Sequence, residues 1–292
     1  MYKLTIVVEN KTSAYYFFEL LSEMCQSEAN AISIFEYKTI WTVDAYYGEW
    51  SQAEKAALWL CSISIYKLSS WVVEQIADQD WVVLSQTALP PVYAGRFTIH
   101  GSHDRTKIGR GQNRILIDAG EAFGTAHHPT THGCLIAIDL LTRKQNFKNI
   151  MDIGTGSGVL ALALRRTMPR ANILATDLDA RATKVAKNNA LLNNSLSLFN
   201  GRLFFAIAQG LQDKAVRLAQ PFNLIVANIL AVTLTRMVCD IRLALRVRGS
   251  LILSGILIAQ SNSVIACYKS HGFSLCKHIQ IDGWSTLIMV RR

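Results

Sequence analysis

The sequence predicts an α/β protein in which a small α+β domain precedes a doubly wound, mostly parallel sheet. Two observations predict the sheet: helical and strand-like segments alternate from Pro129 onward, and a glycine-rich turn, Gly154 to Gly158, joins a strand to a helix. The third observation concerns residues 1–80, where strand, helix, strand, strand, helix and strand follow one another. This order is typical of a ferredoxin-like unit.

The segments of the first domain are short and amphipathic. Strand-like segments are KLTIVVE, NAISIFEY, TIWTVDAYY and WVVEQIAD, and the helical segments are TSAYYFFELLSEMCQ and SQAEKAALWLCSISIY. Ser51 and Glu54 have the spacing of a capping box at the start of the second helix. Pro90 and Pro91 then disfavour any continuous helix, so residues 81–100 are predicted to be a linker and residues 101–292 the second domain.

After the two prolines come two short strands, RFTIHG and NRILIDAG, on either side of a basic loop. The predicted helices are PTTHGCLIAIDLLTR, SGVLALALRRTM, ARATKVAKNNALLN, a segment ending at Arg246, and a segment from about Asn262 to His271. The predicted strands are NIMDIG, NILATDL, LFFAIA, FNLIVANIL, SLILSGIL, SLCKHIQI and STLIMVR. A short turn at Asp282 and Gly283 makes the last two strands an antiparallel hairpin.

Composition narrows the class of protein. The chain has 292 residues, half of them hydrophobic, and a net charge of +9, which suggests contact with nucleic acid or a nucleic-acid-bound partner, although a solvated basic surface would explain it equally well. The longest uncharged segment, Gly249 to Tyr268, divides into a strand-like and a helix-like half. We therefore expect no membrane span, and the absence of a signal peptide pattern predicts a cytoplasmic location. The six cysteines form no C-x-x-C pair, so neither zinc nor disulfides are indicated.

The glycine turn is the main indication of a ligand. Its spacing, G-x-G-x-G at Gly154, Gly156 and Gly158, differs from the G-x-G-x-x-G dinucleotide pattern. Asp152, two residues before the turn, is expected to repel a pyrophosphate and to favour a ligand with positive charge. S-adenosylmethionine has that character, and Asp177 at the end of the next strand could accept hydrogen bonds from both its ribose hydroxyls. Asp179 is the rival carboxylate.

Two further segments are expected near the same crevice. FGTAHHPTTH, Phe123 to His132, is rich in turn-forming residues, and Pro129 suits the first position of a helix. His128 and His132 are four residues apart, but no glutamate follows His128, so we predict a helix start and no metal. Asn228 ends the fourth strand of the sheet, where it is either a polar group of the site or a helix cap.

Six segments, taken in order, closely resemble the PrmA family. They are FGTAHHPTT, MDIGTGSGVLALA, TDLD, NNALLNN, ANILA and LSGIL, the last followed by Gln260. Its members are bacterial enzymes that methylate protein eleven of the large ribosomal subunit. The resemblance runs from about Asp118 to Arg292. Before Asp118, only Asp80, Trp81 and the P-V-x-x-G-R pattern of Pro91 to Arg96 are similar.

The resemblance implies a seven-stranded, Rossmann-like class I methyltransferase sheet that uses S-adenosylmethionine. It implies a first domain that recognises the ribosomal protein, with methylation of lysine and/or N-terminal amino groups. Ribosomal RNA could lie nearby, and we expect a monomer. By position, the family's cofactor contacts fall on Thr131, Gly154, Asp177 and Asn228, and Gly156 belongs to the same turn. Two positions depart from the family pattern: Ala126 replaces a usual glycine, and Asn223 replaces a frequent aspartate.

We expect direct transfer of the methyl group to a neutral amine. Asn228 is the predicted catalytic residue, which orients the amine through its amide oxygen or the neighbouring backbone carbonyl. The main competing function is that of a methyltransferase acting on RNA or on another ribosome-associated substrate. Methylases of base or glutamine amino groups typically carry N-P-P-Y where this chain has Asn228-Ile229-Leu230-Ala231. A module that binds the cofactor without catalysis and a nicotinamide dehydrogenase are two further candidate functions.

Overall fold

The structure, a computed structural model, describes residues 1–23, 29, 31–37, 40–63, 69–76, 91–104, 108, 113–118, 128–195 and 201–292. Contacts divide the chain into two units, Met1–Trp81 and Val82–Arg292, and each has its own hydrophobic core. Several features of the sequence lie outside the described residues: linker residues 81–90, Ala126, and Arg105, Lys107 and Arg110 of the basic loop.

The first unit has the predicted ferredoxin-like order. Its elements are β1 (Tyr2–Val8), α1 (Lys11–Glu23), β2 (Ala31–Tyr37), β3 (Ile40–Tyr47), α2 (Trp50–Ile63) and β4 (Ser70–Gln75). The four strands pair antiparallel in the order β2-β3-β1-β4. Alternate residues of β1, Leu4, Ile6 and Val8, are buried in one core with Phe17 of α1 and Leu60 of α2. The period-2 pattern of β1 therefore places its apolar face against both helices.

The predicted capping box of α2 is wrong. The helix begins at Trp50, so Ser51 and Glu54 lie inside it. The backbone N–H of Glu49 instead donates to Oε1 of Gln52 over 3.1 Å, and Ser51 Oγ donates to the Glu49 carboxylate over 3.3 Å. Glu49 and Gln52 thus occupy the cap and third positions of this helix, two positions before the predicted pair Ser51 and Glu54.

The second unit opens with a small three-stranded sheet. Strands β5 (Val92–Ala94), β6 (Phe97–His100) and β7 (Arg114–Leu116) pair in that order, β5 antiparallel and β7 parallel to β6. Strand β6 matches the predicted strand RFTIHG, but both β5 and β6 fall inside the predicted linker, so the linker prediction is wrong for these residues. Strand β5 is hard to recognise in the sequence because it has only three residues and closely follows two prolines. A contact with a residue distant in sequence also stabilises this region: Arg96, between β5 and β6, has its Nε 2.5 Å from Oδ1 of Asp139.

The large sheet has seven strands in the order β10-β9-β8-β11-β12-β14-β13. They are β8 (Asn149–Ile153), β9 (Asn172–Asp177), β10 (Leu203–Ile207), β11 (Phe222–Asn228), β12 (Leu245–Leu257), β13 (Phe273–Ile281) and β14 (Trp284–Arg291). Strands β8 to β12 are parallel, and β14 is antiparallel to both β12 and β13, as predicted. The strand order reverses between β8 and β11, which is where ligands bind in open α/β sheets.

Helices cover both faces of this sheet. They are α3 (Pro129–Thr142), α4 (Val159–Thr167), α5 (Ala180–Leu192), α6 (Lys214–Ala219), α7 (Ala231–Arg236), α8 (Val238–Ala244) and α9 (Ile258–Ser270). Residues of α3, α4 and α5 share one core cluster with the sheet, and residues of α6 to α9 share the other. No helix among the described residues has the length and apolar character needed to cross a membrane.

The predicted end of the helical region after β11 is wrong. Helix α8 ends at Ala244, and β12 begins at Leu245, so Arg246 belongs to the strand. Leu245 pairs with Phe222 and Ser250 pairs with Leu224, which leaves four residues of β12 outside the regular ladder. Apolar residues continue at helical spacing past Ala244, so the sequence does not show where the helix ends and the strand begins.

Candidate active site

A cavity of about 330 Å³ lies at the carboxyl ends of the parallel strands, at the point where the strand order reverses. Its lining residues are His128, Thr130, Thr131, Gly154, Thr155, Gly156, Val159, Leu160, Asp177, Asn228, Ile229, Leu230, Gly255 and Trp284. All five site residues predicted from the sequence are among them. The volume is within the range of small-molecule sites.

The glycine turn forms one wall of the cavity. Gly154 has a φ of +69°, and a Cβ there would lie 2.5 Å from Cγ2 of Ile229. Gly158 has a φ of +83° and precedes α4, where a Cβ would lie 3.0 Å from Cβ of Ala186 in α5. The first position therefore keeps the cavity open, and the last allows α4 and α5 to approach. Asn189 of the NNALLNN segment donates through Nδ2 to the Ser157 carbonyl over 2.8 Å and fixes the turn.

Asp177 lies beside this turn with its carboxylate held by the backbone. Its Oδ2 accepts from the N–H of Gly156 over 2.9 Å, and its Oδ1 accepts from the N–H of Asp179 over 3.0 Å. Asp179 has a different role: it is exposed, and its Oδ1 accepts from the N–H of Arg181 over 2.8 Å at the start of α5. Of the two candidate carboxylates, only Asp177 lines the cavity.

The expectation that Asp152 presents a negative charge to the ligand is wrong. Asp152 is completely buried and is not a lining residue of the cavity. Its Oδ2 accepts a 2.7 Å hydrogen bond from Oγ1 of Thr155. Burial raises the pKa of Asp152 to about 7, although the Thr155 hydrogen bond opposes this change. The sequence could not show this, because burial depends on helix α4 and the flanking strands.

The raised pKa of Asp152 predicts a pH-dependent stability. The folded chain keeps a proton on this group at pH values where the unfolded chain releases it, so the stabilisation is complete below the unfolded pKa and is lost as the pH rises through about 7. We expect Asp152→Asn to remove this loss. The wild type should therefore lose about 3 kcal/mol of unfolding free energy relative to the variant between about pH 5 and pH 8. This figure corresponds to roughly two pH units below the folded pKa, at ~1.4 kcal/mol per unit. Urea unfolding of both proteins measures this, and equal pH dependence would contradict the assignment.

The start of α3 brings Thr131 to the cavity. His128 caps the helix: its Nδ1 accepts from the N–H of Thr130 over 3.3 Å and lies 2.7 Å from Oγ1 of Thr130. The Thr130 carbonyl accepts from Oγ of Ser254 over 3.2 Å, which ties this turn to β12. His128 thus has the capping role that the sequence favoured over a metal site. Among the described residues, no group of three His, Cys, Asp or Glu side chains could hold a metal.

Asn228 ends β11 on the other side of the strand reversal. Its side chain is half-buried, and Nδ2 donates to Oγ1 of Thr131 over 3.4 Å. This contact leaves the amide oxygen Oδ1 as the group available to accept a further hydrogen bond. Asn228 is not the cap of α7, since that helix begins after Leu230. The capping role is therefore excluded.

Asn223, one of the two departures from the family pattern, is the second residue of β11 and does not line the cavity. Its Oδ1 accepts from the backbone N–H of Asn149 over 2.8 Å and of Lys148 over 3.1 Å. An amide oxygen accepts these hydrogen bonds as a carboxylate would. The substitution therefore preserves the link between β8 and β11.

Sequence reasoning missed the apolar part of the site. Trp284, the first residue of β14, lines the cavity. Its ring packs edge to face against the His128 ring, with 4.9 Å between the ring centroids. Burial lowers the pKa of His128, because desolvation disfavours the charged form of the ring. Leu230 is 71% exposed at the mouth of the cavity. The signal for Trp284 was its place after the Asp282-Gly283 turn, because an antiparallel strand starts at the edge where its parallel neighbours end.

Comparison with known proteins gives a consistent result. The PrmA family model, described as ribosomal protein L11 methyltransferase, matches residues 7–292. A ribosomal protein L11 methyltransferase of Rhizobium etli (strain CIAT 652) is 41% identical over 285 residues, 96% of each chain. One of Rhodopseudomonas palustris (strain BisB5) is 38% identical over 290 residues, covering 98% of this chain and 96% of that protein. The crystal structure of a ribosomal protein L11 methylase from Lactobacillus delbrueckii subsp. bulgaricus superposes with a TM-score of 0.60 at 27% identity, covering 69% of this chain and 98% of that one.

Proposed function

The chain belongs to the PrmA family of ribosomal protein L11 methyltransferases, and from this we propose that it methylates amino groups of ribosomal protein L11. The methyl donor is S-adenosylmethionine, and the acceptors are lysine side chains, the N-terminal amino group, or both. One observation supports the donor most strongly: the Asp177 carboxylate, held by two backbone N–H groups, lines the cavity beside a glycine turn. The fold and the family are shared by enzymes of this class.

The cavity suits the donor in the kinds of group it offers. Asp177 can accept hydrogen bonds from the two ribose hydroxyls, because its remaining lone pairs are not used by the backbone. Gly154 and Gly156 line the cavity at the turn, and a Cβ at Gly154 would lie 2.5 Å from Cγ2 of Ile229, another lining residue. Thr131 and Asn228 supply polar groups on the other side of the strand reversal. We assign all five residues to donor binding.

The chain must also make the acceptor reactive. The donor supplies an electrophilic methyl group on a sulfonium. A lysine with a pKa of about 10.4 is neutral in only about one molecule in a few thousand at pH 7. Val159, Leu160 and Trp284 line the cavity, and desolvation against such side chains lowers the pKa of an amine that enters it. We assign the orientation of the neutral amine to Oδ1 of Asn228, because Nδ2 is engaged by Thr131.

Residues 1–80 form the unit that recognises the ribosomal protein. We assign the linker between this unit and the methyltransferase domain to residues 81–90. It is shorter than the range 81–100 predicted from the sequence, because β5 and β6 occupy most of residues 91–100. The enzyme acts as a monomer in the cytoplasm, with ribosomal RNA close to its substrate. The net charge of +9 and the ribosomal substrate named for the relatives support the proximity to ribosomal RNA.

A transfer assay tests the proposed function. The purified chain is incubated with methyl-labelled donor and ribosomal proteins from cells that lack this activity. We expect label in one protein with the mass of L11, and peptide mapping should assign the label to lysine residues or to the N-terminal fragment. Label in RNA would contradict the amine proposal and favour an RNA methyltransferase. Binding of the donor with no transfer to any ribosomal protein would also contradict it.

A further inference from the structure

Positive charge is unequally distributed along the chain. Residues 1–81 contain five Lys and Arg and eleven Asp and Glu, a formal charge of −6. Residues 82–292 contain twenty-five Lys and Arg and ten Asp and Glu, a formal charge of +15. The net charge of the protein therefore understates the basic character of the unit that contains the cavity.

Much of this charge lies at what we term the amino edge, the edge of the large sheet where β8 to β12 begin. Lys148, Arg170 and Arg202 precede β8, β9 and β10 by one or two residues, and all three are exposed. The backbone places them side by side. The N–H of Asn172 donates to the Lys148 carbonyl over 2.8 Å, and that of Ile173 donates to the Arg202 carbonyl over 2.7 Å. The cavity lies at the opposite edge.

Two more arginines project from the irregular part of β12. Because Leu245 pairs with Phe222 and Ser250 with Leu224, the residues between them form a bulge that contains Arg246 and Arg248. Both side chains are exposed, and Arg248 has a φ of +62°. Such a φ is unfavourable for a residue other than glycine and indicates a conformation that the surrounding structure imposes. The bulge thus places both arginines outside the regular ladder, with their side chains exposed to solvent.

Five segments that reach the amino edge are rich in basic residues. They carry thirteen Lys and Arg and no Asp or Glu, and they are residues 140–151, 165–176, 201–207, 241–275 and 288–292. One of these cations, Arg143, pairs with Asp139 in the last turn of α3. Adjacent strands are about 4.8 Å apart, so the edge from β10 to β14 is roughly 24 Å long. A continuous positive surface of this length can follow several successive phosphates of a nucleic acid.

Helix electrostatics explain only part of this charge. Cations at helix C-termini are favourable, and this accounts for Arg143 after α3 and Arg242 in the last turn of α8. It does not account for Arg202, Arg246 and Arg248, which lie at the start of a strand or in the bulge. Within the part of the chain that the structure describes, these three guanidinium groups form no ion pair. They are available to an external anion.

We propose that the amino edge binds the phosphate backbone of RNA. Arginine predominates there, and its planar guanidinium binds phosphate oxygens through two parallel hydrogen bonds. RNA is favoured over other polyanions because ribosomal proteins, the substrates named for this family, assemble on RNA. This inference goes beyond the methyl transfer, since RNA binding at this edge requires neither donor nor amine. It leaves the cavity accessible at the opposite edge.

RNA binding by the full chain tests the proposal. The probe is a fluorescent RNA hairpin of about 20 nucleotides, titrated by anisotropy at several salt concentrations. The test variant is R202Q/R246Q/R248N, with asparagine at 248 because it tolerates positive φ. The control is R181Q/K184Q/K187Q, which removes the same charge from exposed positions of α5.

We expect the test variant to bind at least about tenfold more weakly than the wild type. Loss of three phosphate contacts should reduce the slope of log affinity against log salt by roughly two, and the control should change it by less than half as much. Equal losses in both variants would overturn the assignment to this edge. Absence of RNA binding by the wild type, or tighter binding to anionic vesicles or polyglutamate than to RNA, would overturn the choice of RNA.

The result is independent of the proposed methyl transfer. The test variant should methylate free L11 at the wild-type rate, because none of its three positions lines the cavity. Unchanged donor affinity verifies that the variant is folded. Loss of RNA binding with retained methylation supports the inference, whereas an inactive wild type that still binds RNA at this edge would contradict only the proposed function.

Discussion

Replacement of Asp177 by alanine is expected to weaken binding of the methyl donor by roughly 100-fold to 10,000-fold. Each hydrogen bond to a charged acceptor contributes about 1.5 to 3 kcal/mol, and the proposal gives Asp177 two such bonds to the ribose. The Gly156 N–H also loses its acceptor, which loosens the glycine turn. Isothermal titration with S-adenosylhomocysteine, the demethylated product, measures the change without catalysis.

Asp179→Ala is the matched control. It removes the neighbouring carboxylate, which caps α5 through the N–H of Arg181 and does not line the cavity. Loss of this cap should reduce the free energy of unfolding by about 1 kcal/mol. Its effect on product affinity should stay within about threefold, far below the loss expected for charged hydrogen bonds. If Asp177→Ala also stayed within that range, the assignment of the ribose to Asp177 would be wrong.

Replacement of Asn228 by alanine is expected to lower kcat at saturating donor by about 100-fold, because loss of orientation of the reacting amine has effects of this order. The donation from Nδ2 of Asn228 to Oγ1 of Thr131 fixes the amide. Thr131→Val should therefore lower kcat in the same direction but by a smaller factor. Single-turnover kinetics with labelled donor and purified L11 separate this effect from donor binding. Full turnover in Asn228→Ala would refute the role.

Asn228→Asp distinguishes orientation from simple packing. The substitution keeps an oxygen at the same place but adds a negative charge, which raises the pKa of an amine bound next to it. We expect the rate to fall at neutral pH and its pH profile to move to higher pH. A uniform loss at all pH values would indicate that Asn228 only packs against Thr131.

The parts of the site that could be predicted from sequence are those at strand ends. Gly154, Asp177 and Asn228 each lie at the end of a strand of a parallel sheet, and such ends converge at one edge by topology alone. Thr131 required the family resemblance, because a helix start gives no comparable constraint. Trp284 was missed although it obeys the same geometry, since the antiparallel hairpin reverses the end that reaches the site.

Errors arose where tertiary contacts override the local pattern. The charge on Asp152 could not be judged without knowing that its side chain is fully buried. The strand at Val92–Ala94 is short and depends on a sheet partner, and the boundary at Leu245 is concealed by apolar residues that suit both a helix and a strand. The predicted general order of helices and strands is nevertheless correct. Regular alternation of helices and strands indicates a doubly wound sheet even where single boundaries are misplaced.

The central claim is that the cavity at the strand reversal holds the methyl donor through Asp177. The most direct test is a crystal structure of the full chain with S-adenosylhomocysteine. We predict electron density for the product against the Gly154 to Gly158 turn, with both ribose hydroxyls within hydrogen-bonding distance of the Asp177 carboxylate. A product bound elsewhere, or an Asp177 side chain directed away from the ribose, would contradict the account.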